Sequence, residues 1–245
     1  TQSRSSAASD VYKRQDIWPG AYDPRVPHEI VAVDDAESFA MTRRLAREEG
    51  ILVGGSSGMA VVGALRVARD LPADAVMVVL LPDGGRGYLS KIFNDGWMRS
   101  YGFSEVEEGE TVADVLAART ARLGEGIPDL VHAHPTDTVL EAIGMMTEYD
   151  VSQLVVLSAE PPVMMGEVIG TVDEKGLLDL LFRGDAKPAD AVGAHVGERL
   201  PLLGIHAPLA QARAALADAD ALLVTLDGKP HTVLTRQDLL SYLSR

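Results

Sequence analysis

Apolar positions along the chain follow first a helical and then an extended period, and the switches between the two mark out the elements. The stretch Ala36–Glu49 has Asp34, Asp35 and Glu37 at its start, Arg43, Arg44 and Arg47 towards its end, and Gly50 behind it. That charge order suits a helix dipole and the glycine is a stop signal, so a helix is predicted there. A short apolar strand is predicted at Ile51-Leu52-Val53, then the turn Gly54-Gly55-Ser56-Ser57-Gly58, then a helix through Val62, Leu65 and Ala68. Val76–Leu81 is a continuous apolar run rich in valine, the composition of a strand buried on both faces of a parallel sheet. It ends at Pro82-Asp83-Gly84-Gly85, and helical stretches follow around Tyr88–Phe93 and Trp97–Tyr101. Helix, strand, glycine turn, helix, strand is an α/β order.

Residues 104–126 carry Glu105, Glu107, Glu108 and Glu110 and have the look of a linker with one short helix, Val112–Ala118. Beyond it, His134-Pro135-Thr136-Asp137 leads into a helix with Val139, Ile143 and Met146 on one face. Strands are predicted at Ser152–Leu157 and Val168–Val172, and a helix at Glu174–Phe182. The same order returns as a helix from Pro208 to Leu216, a strand Leu222–Leu226, the turn Asp227-Gly228, a strand Thr232–Leu234 and a helix Arg236–Leu243. The starts of the two copies register at an offset of 70 and their ends (DEKGLLDLLF against TRQDLLSYLS) at 62, because the hairpin around Pro161-Pro162 is longer in the first copy. A repeat of this size, αββα in each unit, predicts a duplicated module. The expected organisation is a non-native or disordered tail (1–15), an α/β segment (16–103), a linker (104–126), a first repeat (127–184) and a second repeat (185–245).

Composition narrows the function classes. The chain has 245 residues, 47% hydrophobic, no cysteine and a net charge of −14. No apolar run reaches the 18 residues of a membrane span. The acidic surplus argues against nucleic acid and anionic membranes, both of which favour basic patches. Without cysteine there are no disulfides, no thiol catalysis and no thiolate metal ligands, which suits a reducing cytoplasm. The charge is uneven: residues 1–15 carry +2, 16–124 carry −6 and 125–245 carry −10. The first block, TQSRSSAASDVYKRQ, is Ser-rich, without apolar periodicity, and resembles translated adapter read-through. It is set aside from fold reasoning, and the protein is expected to continue upstream of Asp16. His132 and His134 form a pair with no further ligand at metal spacing, so no metal site is expected. Met145, Met146, Met164 and Met165 are expected in cores.

The turn GGSSG between a strand and a helix can present free N–H groups to a ligand, or its glycines can simply permit a tight bend. It is neither the dinucleotide fingerprint nor a Walker loop. EEGILVGGSSGMAVVGAL followed by VVLLPDGGRGYLSKIFNDGWMRSYGF closely resembles the last part of the catalytic domain of cystathionine β-synthases, most of all the actinobacterial type. The repeats resemble the paired regulatory CBS domains that these enzymes carry in the same order.

The resemblance implies an α/β fold: the C-terminal part of a fold-type II pyridoxal-phosphate domain, then a tandem CBS pair. It implies that Ser56 faces the pyridine nitrogen of pyridoxal phosphate, that Gly54 and Gly55 let the backbone approach the ring, and that Asp83 lies close by. A neutral hydroxyl at a helix N-terminus disfavours pyridine protonation, which weakens the ring as an electron sink and favours β-replacement. The intact enzyme would condense L-serine with L-homocysteine, in transsulfuration and cysteine biosynthesis, as a cytoplasmic homodimer or homotetramer. A pyridoxal enzyme also needs a lysine and a phosphate loop. Lys13, Lys91, Lys175, Lys187 and Lys229 do not match the family's lysine, so no catalytic residue is expected in this chain and no activity from it alone. A non-catalytic sensor and a cysteine synthase-like enzyme are the rival readings.

For the repeats, the resemblance implies an adenosyl ligand, S-adenosylmethionine, with Thr235 and Asp238 at the ribose. Thr235-Arg236-Gln237-Asp238 before an apolar helix is also close to a capping box that needs no ligand. The matching positions of the first repeat, Asp173 and Gly176, break the pattern, so one good ribose site is expected at most.

Overall fold

A computed structural model describes residues 23–103, 109–123 and 128–244. The tail 1–15, Glu105, Glu107 and Glu108 lie outside the described residues. The chain divides into two compact units between Phe93 and Asn94.

The first unit is built on two helices, α1 (Asp35–Glu48) and α2 (Gly55–Ala68). Asp34 caps α1 by accepting from the Glu37 N–H at 2.8 Å, and Gly50 takes the left-handed conformation (φ +70°) that closes its C-terminus. The contact between the helices is polar and close. Ser38 and Thr42 are buried on α1, and Thr42 Oγ1 donates to the carbonyls of Ser38 (2.8 Å) and Gly54 (3.1 Å). Arg66 of α2 pairs with Glu37 of α1.

The two strands predicted in this unit do not form. Val53 makes a single antiparallel bridge to Gly84, and 76–81 is extended without ladder partners, with Val76 and Val78 each 91% exposed. A central parallel strand needs hydrogen-bonding neighbours on both edges and helices over both faces, and none of these is found among the described residues. The predicted helix at Tyr88–Phe93 is a 3₁₀ turn at Gly85–Tyr88 followed by further turns.

The second unit opens with α3 (Asp95–Ser100) and α4 (Val112–Leu123), followed by the two repeats. The first repeat contains β1 (His132–Ala133), α5 (Val139–Tyr149), β2 (Gln153–Leu157), β3 (Val168–Asp173) and α6 (Glu174–Arg183). The second contains β4 (Leu202–Gly204), α7 (Leu209–Asp218), β5 (Ala221–Leu226), β6 (Lys229–Thr235) and α8 (Arg236–Leu243). Each sheet has a parallel pair followed by an antiparallel hairpin, β1-β2-β3 and β4-β5-β6. His132 faces Val155 as Leu202 faces Leu223. The hairpin of the second repeat turns on Asp227 (φ +48°) and Gly228 (φ +75°), the paired left-handed residues of a tight Asp-Gly turn.

Strand alternation explains the packing. In β2, Leu154 and Val156 point into the core under α5 and α6, while Val155 and Leu157 point the other way and meet Leu223 of β5. Leu222 and Val224 join the core under α7 and α8. Both faces of β2 and β5 are therefore buried, which is why these strands have apolar runs rather than strict alternation.

The expected linker contains a core element. Val112, Val115 and Leu116 of α4 lie inside the second repeat's core with Leu209, Leu222 and Leu234. The N–H groups of Val112 and Ala113 donate to Ala207 and Ile205, and those of Val192 and Gly193 donate to Asp137 and Pro135. Ala207 and Ile205 stand 70 residues beyond Asp137 and Pro135, so the two attachments are equivalent. Each repeat is thus completed by the segment that precedes the other. Asn94–Phe103, expected to close the α/β segment, also packs here: Thr225 Oγ1 donates to the Ser100 carbonyl at 2.7 Å, and the Gly228 N–H to that of Tyr101 at 2.7 Å.

Asp114 anchors the start of α4 by accepting from the N–H (2.8 Å) and hydroxyl (2.9 Å) of Thr111. These hydrogen bonds favour the carboxylate and hold its pKa below the ordinary 3.8. A lowered folded-state pKa means that this stabilisation is complete above 3.8 and is lost as pH falls through the folded value. Asp114→Asn is therefore expected to flatten the loss of stability below about pH 4, as measured by urea unfolding across an acid pH series.

Candidate functional site

Ser56, Gly54, Gly55 and Asp83 come together at the N-terminus of α2. The Gly54 N–H donates to the Asp83 carbonyl at 3.2 Å. Asp83 Oδ1 accepts from Ser57 Oγ at 2.8 Å and from the Ser57 N–H at 3.3 Å, so this carboxylate caps the helix from another segment. Its Oδ2 is sealed from solvent with no partner in good hydrogen-bonding geometry. The Tyr88 phenol is nevertheless close enough for the carboxylate to push its pKa up. The side of Gly54 where a Cβ would sit is filled by Asp83 and Tyr88, and that of Gly55 by Phe39 and Ile92. Those two glycines admit the chain's own side chains on that side. Ser56 differs. It is exposed, within the first turn of α2, and no described residue hydrogen-bonds its side chain.

Thr235 and Asp238 line a cleft of about 540 Å³ in the second unit. The capping box is present: the Thr235 N–H and Oγ1 donate to Asp238 Oδ2 at 3.0 and 2.9 Å, and the Asp238 N–H donates to Thr235 Oγ1 at 3.3 Å. Both bonds to the carboxylate use Oδ2, and Oδ1 has no protein partner among the described residues. The two sequence readings are thus compatible, since Oδ2 caps α8 while Oδ1 stays available to a ligand. In the first repeat Asp173 occupies the cap position and accepts from the Gly176 N–H at 2.8 Å. No carboxylate follows three residues later.

The sequence reading missed Arg119. Its guanidinium donates to the Val233 carbonyl (2.8 Å) and Thr232 Oγ1 (2.7 Å) and lies 3.4 Å from Asp238 Oδ2. Both Arg119 and Arg122 line the cleft. The signal was available, because Val112, Val115, Leu116 and Arg119 fall at i, i+3, i+4 and i+7 on one helix face. The run only had to be treated as a packed helix instead of a connector.

A family model for pyridoxal-phosphate dependent enzymes matches residues 4–83, and one for the CBS domain matches residues 125–183. The first match begins inside the segment set aside as a tail. Cystathionine β-synthase of Dictyostelium discoideum is 30% identical over 248 residues, covering 94% of this chain and 47% of that protein. The alignment runs across both matched segments. The chain is similar to cystathionine β-synthases along nearly its whole length. The mouse cystathionine β-synthase is 33% identical over 177 residues, covering 72% of this chain and 30% of that protein. The chain spans less than half the length of these curated relatives. O-ureido-L-serine synthase of Streptomyces lavendulae is 41% identical over 78 residues, covering 32% of this chain and 24% of that one. Among solved structures, the CBS-pair protein CBSX2 of Arabidopsis thaliana superposes with a TM-score of 0.43 at 22% identity, covering 56% of this chain and 95% of that one.

The chain thus carries part of a fold-type II domain of the pyridoxal-phosphate dependent enzymes, followed by a CBS module. The CBS model matches only the first repeat; the second has the same strand order and helix placement. No helix among the described residues is long and apolar enough to cross a membrane.

Proposed function

We propose that the protein containing this chain condenses L-serine with L-homocysteine to L-cystathionine, and that the cleft at Thr235 and Asp238 takes S-adenosylmethionine as a regulatory ligand. The observation that carries the ligand reading is Asp238 Oδ1, an acceptor without a protein partner in the 540 Å³ cleft. A carboxylate oxygen suits a ribose diol, which offers two O–H donors, and Arg119 lies 3.4 Å from Oδ2 of the same group. At the other site, Ser56 supports the cofactor reading. Its free hydroxyl at the start of α2 can hold a hydrogen bond to a ring nitrogen without transferring a proton to it. Bound pyridoxal phosphate would supply the electron withdrawal that β-replacement requires. Ser57 and Asp83 fix the helix end that presents Ser56. The cytoplasm and a homodimeric or homotetrameric assembly belong to the same proposal, and the chain alone is expected to turn over neither substrate.

Calorimetry with S-adenosylmethionine tests the ligand site. Hydrogen bonds to a charged group contribute about 1.5–3 kcal/mol, so Asp238→Ala should weaken binding roughly ten- to a hundredfold. Asp238→Asn, which keeps an acceptor for Thr235, should weaken it as well. Unchanged affinity in both variants overturns the assignment. Ser56→Asp in the intact protein should lower turnover and leave adenosyl binding intact. Equal turnover would refute the role of Ser56.

A further inference from the structure

We propose that His132, His134 and Glu160 form a binding site for a divalent transition-metal ion, with zinc as the best chemical match. The two histidines lie at the start of the first repeat, and Glu160 lies in the long hairpin between β2 and β3. Their ligand atoms all fall within 4.8 Å of one another. His134 Nε2 is 3.1 Å from Glu160 Oε1, and His132 Nε2 is 3.8 Å from Glu160 Oε2.

The tautomers follow from the neighbours. His132 Nδ1 is 3.1 Å from the Leu130 carbonyl, and His134 Nδ1 is 3.0 Å from the Leu157 carbonyl. A carbonyl oxygen can only accept, so each Nδ1 must carry the proton. In the neutral ring that leaves the Nε2 lone pair on the opposite side, and both lone pairs face one carboxylate. Three electron-pair donors gathered this closely repel one another unless a proton or a metal ion sits among them; a proton on His134 would satisfy only the 3.1 Å pair, whereas a metal ion meets all three at once. A backbone carbonyl on Nδ1 is also the outer contact that orients metal-binding histidines and raises their basicity. Two imidazoles and a carboxylate, with the remaining position open to water, are a common zinc set. Both histidines are largely buried, at 21% and 25% side-chain exposure, whereas Glu160 is 80% exposed and can move the short distance that closure requires.

The duplication provides an internal control. The matching positions of the second repeat are Leu202 and Gly204, and the matching hairpin is the two-residue turn Asp227-Gly228. The fold therefore needs neither histidine. All three ligands occur together in the copy with the longer hairpin. A metal there would tie that hairpin to β1.

The test is zinc titration of the untagged chain against a chromophoric chelator, with Co²⁺ absorption spectra as a second readout. One zinc per chain is expected, and the Co²⁺ spectrum should show the visible bands of a low-coordinate nitrogen-oxygen site. His134→Gln and the exposed-site variant Glu160→Gln should each weaken zinc at least about tenfold, while His28→Gln, in the other unit, should not. Absence of stoichiometric binding, or equal affinity in His134→Gln and Glu160→Gln, overturns the site. Far-UV circular dichroism of Glu160→Gln, whose side chain is mostly in solvent, separates a lost ligand from a lost fold.

Discussion

Val112→Asp is expected to unfold the second repeat. Val112 is fully buried, its backbone N–H is bonded to Ala207, and it packs among Leu209, Leu222 and Leu234. A carboxylate there has no cationic partner in that core and must be desolvated or protonated, at a cost of at least about 3 kcal/mol. Leu116→Ala, which leaves only a cavity, should cost about 2–4 kcal/mol. Urea unfolding followed by hydrogen exchange would locate the damage. Protection should vanish first in β4, β5 and β6, which lie 90 to 123 residues downstream of the substitution, while β1–β3 keep theirs. A loss below about 1 kcal/mol, the scale of an ordinary surface substitution, would reduce 109–123 to a connector. Val192→Asp is the symmetric experiment, and protection should then fail first in β1–β3.

The second large effect is expected in the first unit. A Cβ on Gly58 would sit 2.1 Å from the Ser38 carbonyl oxygen and 2.2 Å from Thr42 Oγ1. The nearer of these is backbone, so no rotamer relieves the overlap and α1 must move away from α2. Gly58→Ala should therefore cost about 3 kcal/mol, at the upper end for overpacking, and should break the hydrogen bond from Thr42 to Gly54. Gly63→Ala lies on the same helix with its nearest neighbours at 3.9 and 4.0 Å. It should be neutral or stabilising by up to about 1 kcal/mol, the helix-propensity gain of alanine over glycine. Thermal unfolding of the pair gives opposite shifts if the close approach is real. Equal shifts would mean that the GGSSG glycines act through backbone freedom alone.

How much of this was legible in the sequence depends on how local the cause is. The starts of α1, α5 and α6 are set by caps within three residues: Asp34 accepts from the Glu37 N–H, Thr138 from that of Glu141 and Asp173 from that of Gly176. The duplication was legible because both copies repeat their apolar pattern, and the last helix of each begins on an Asp or Thr cap. The exchange of segments between repeats was not, since Val112 and Ala207 share no local signal. Arg119 and Glu160 were missed for the same reason, each meeting its partners across intervening helices and strands. The two failed strands have the opposite cause. Ile51–Val53 and Val76–Leu81 have strand composition, but strand formation requires neighbours, which composition alone does not supply. At the proposed pyridoxal site, residue identity pointed to the helix terminus. The resemblance singled out Ser56, and the structure adds that its hydroxyl is open whereas that of Ser57 is consumed by Asp83.

The unpaired run at Val76–Leu81 has a consequence for handling the protein. An exposed, extended, uncharged stretch of this composition is a ready template for edge-to-edge aggregation with a second copy. Asp74 and Asp83 flank it, with Pro82 between the run and the second aspartate, in the arrangement by which charges and proline act as gatekeepers of sticky segments. The chain produced by itself should therefore stay dispersed at low concentration and neutral pH. It should lose that protection when both aspartates are replaced by alanine, as light scattering would show.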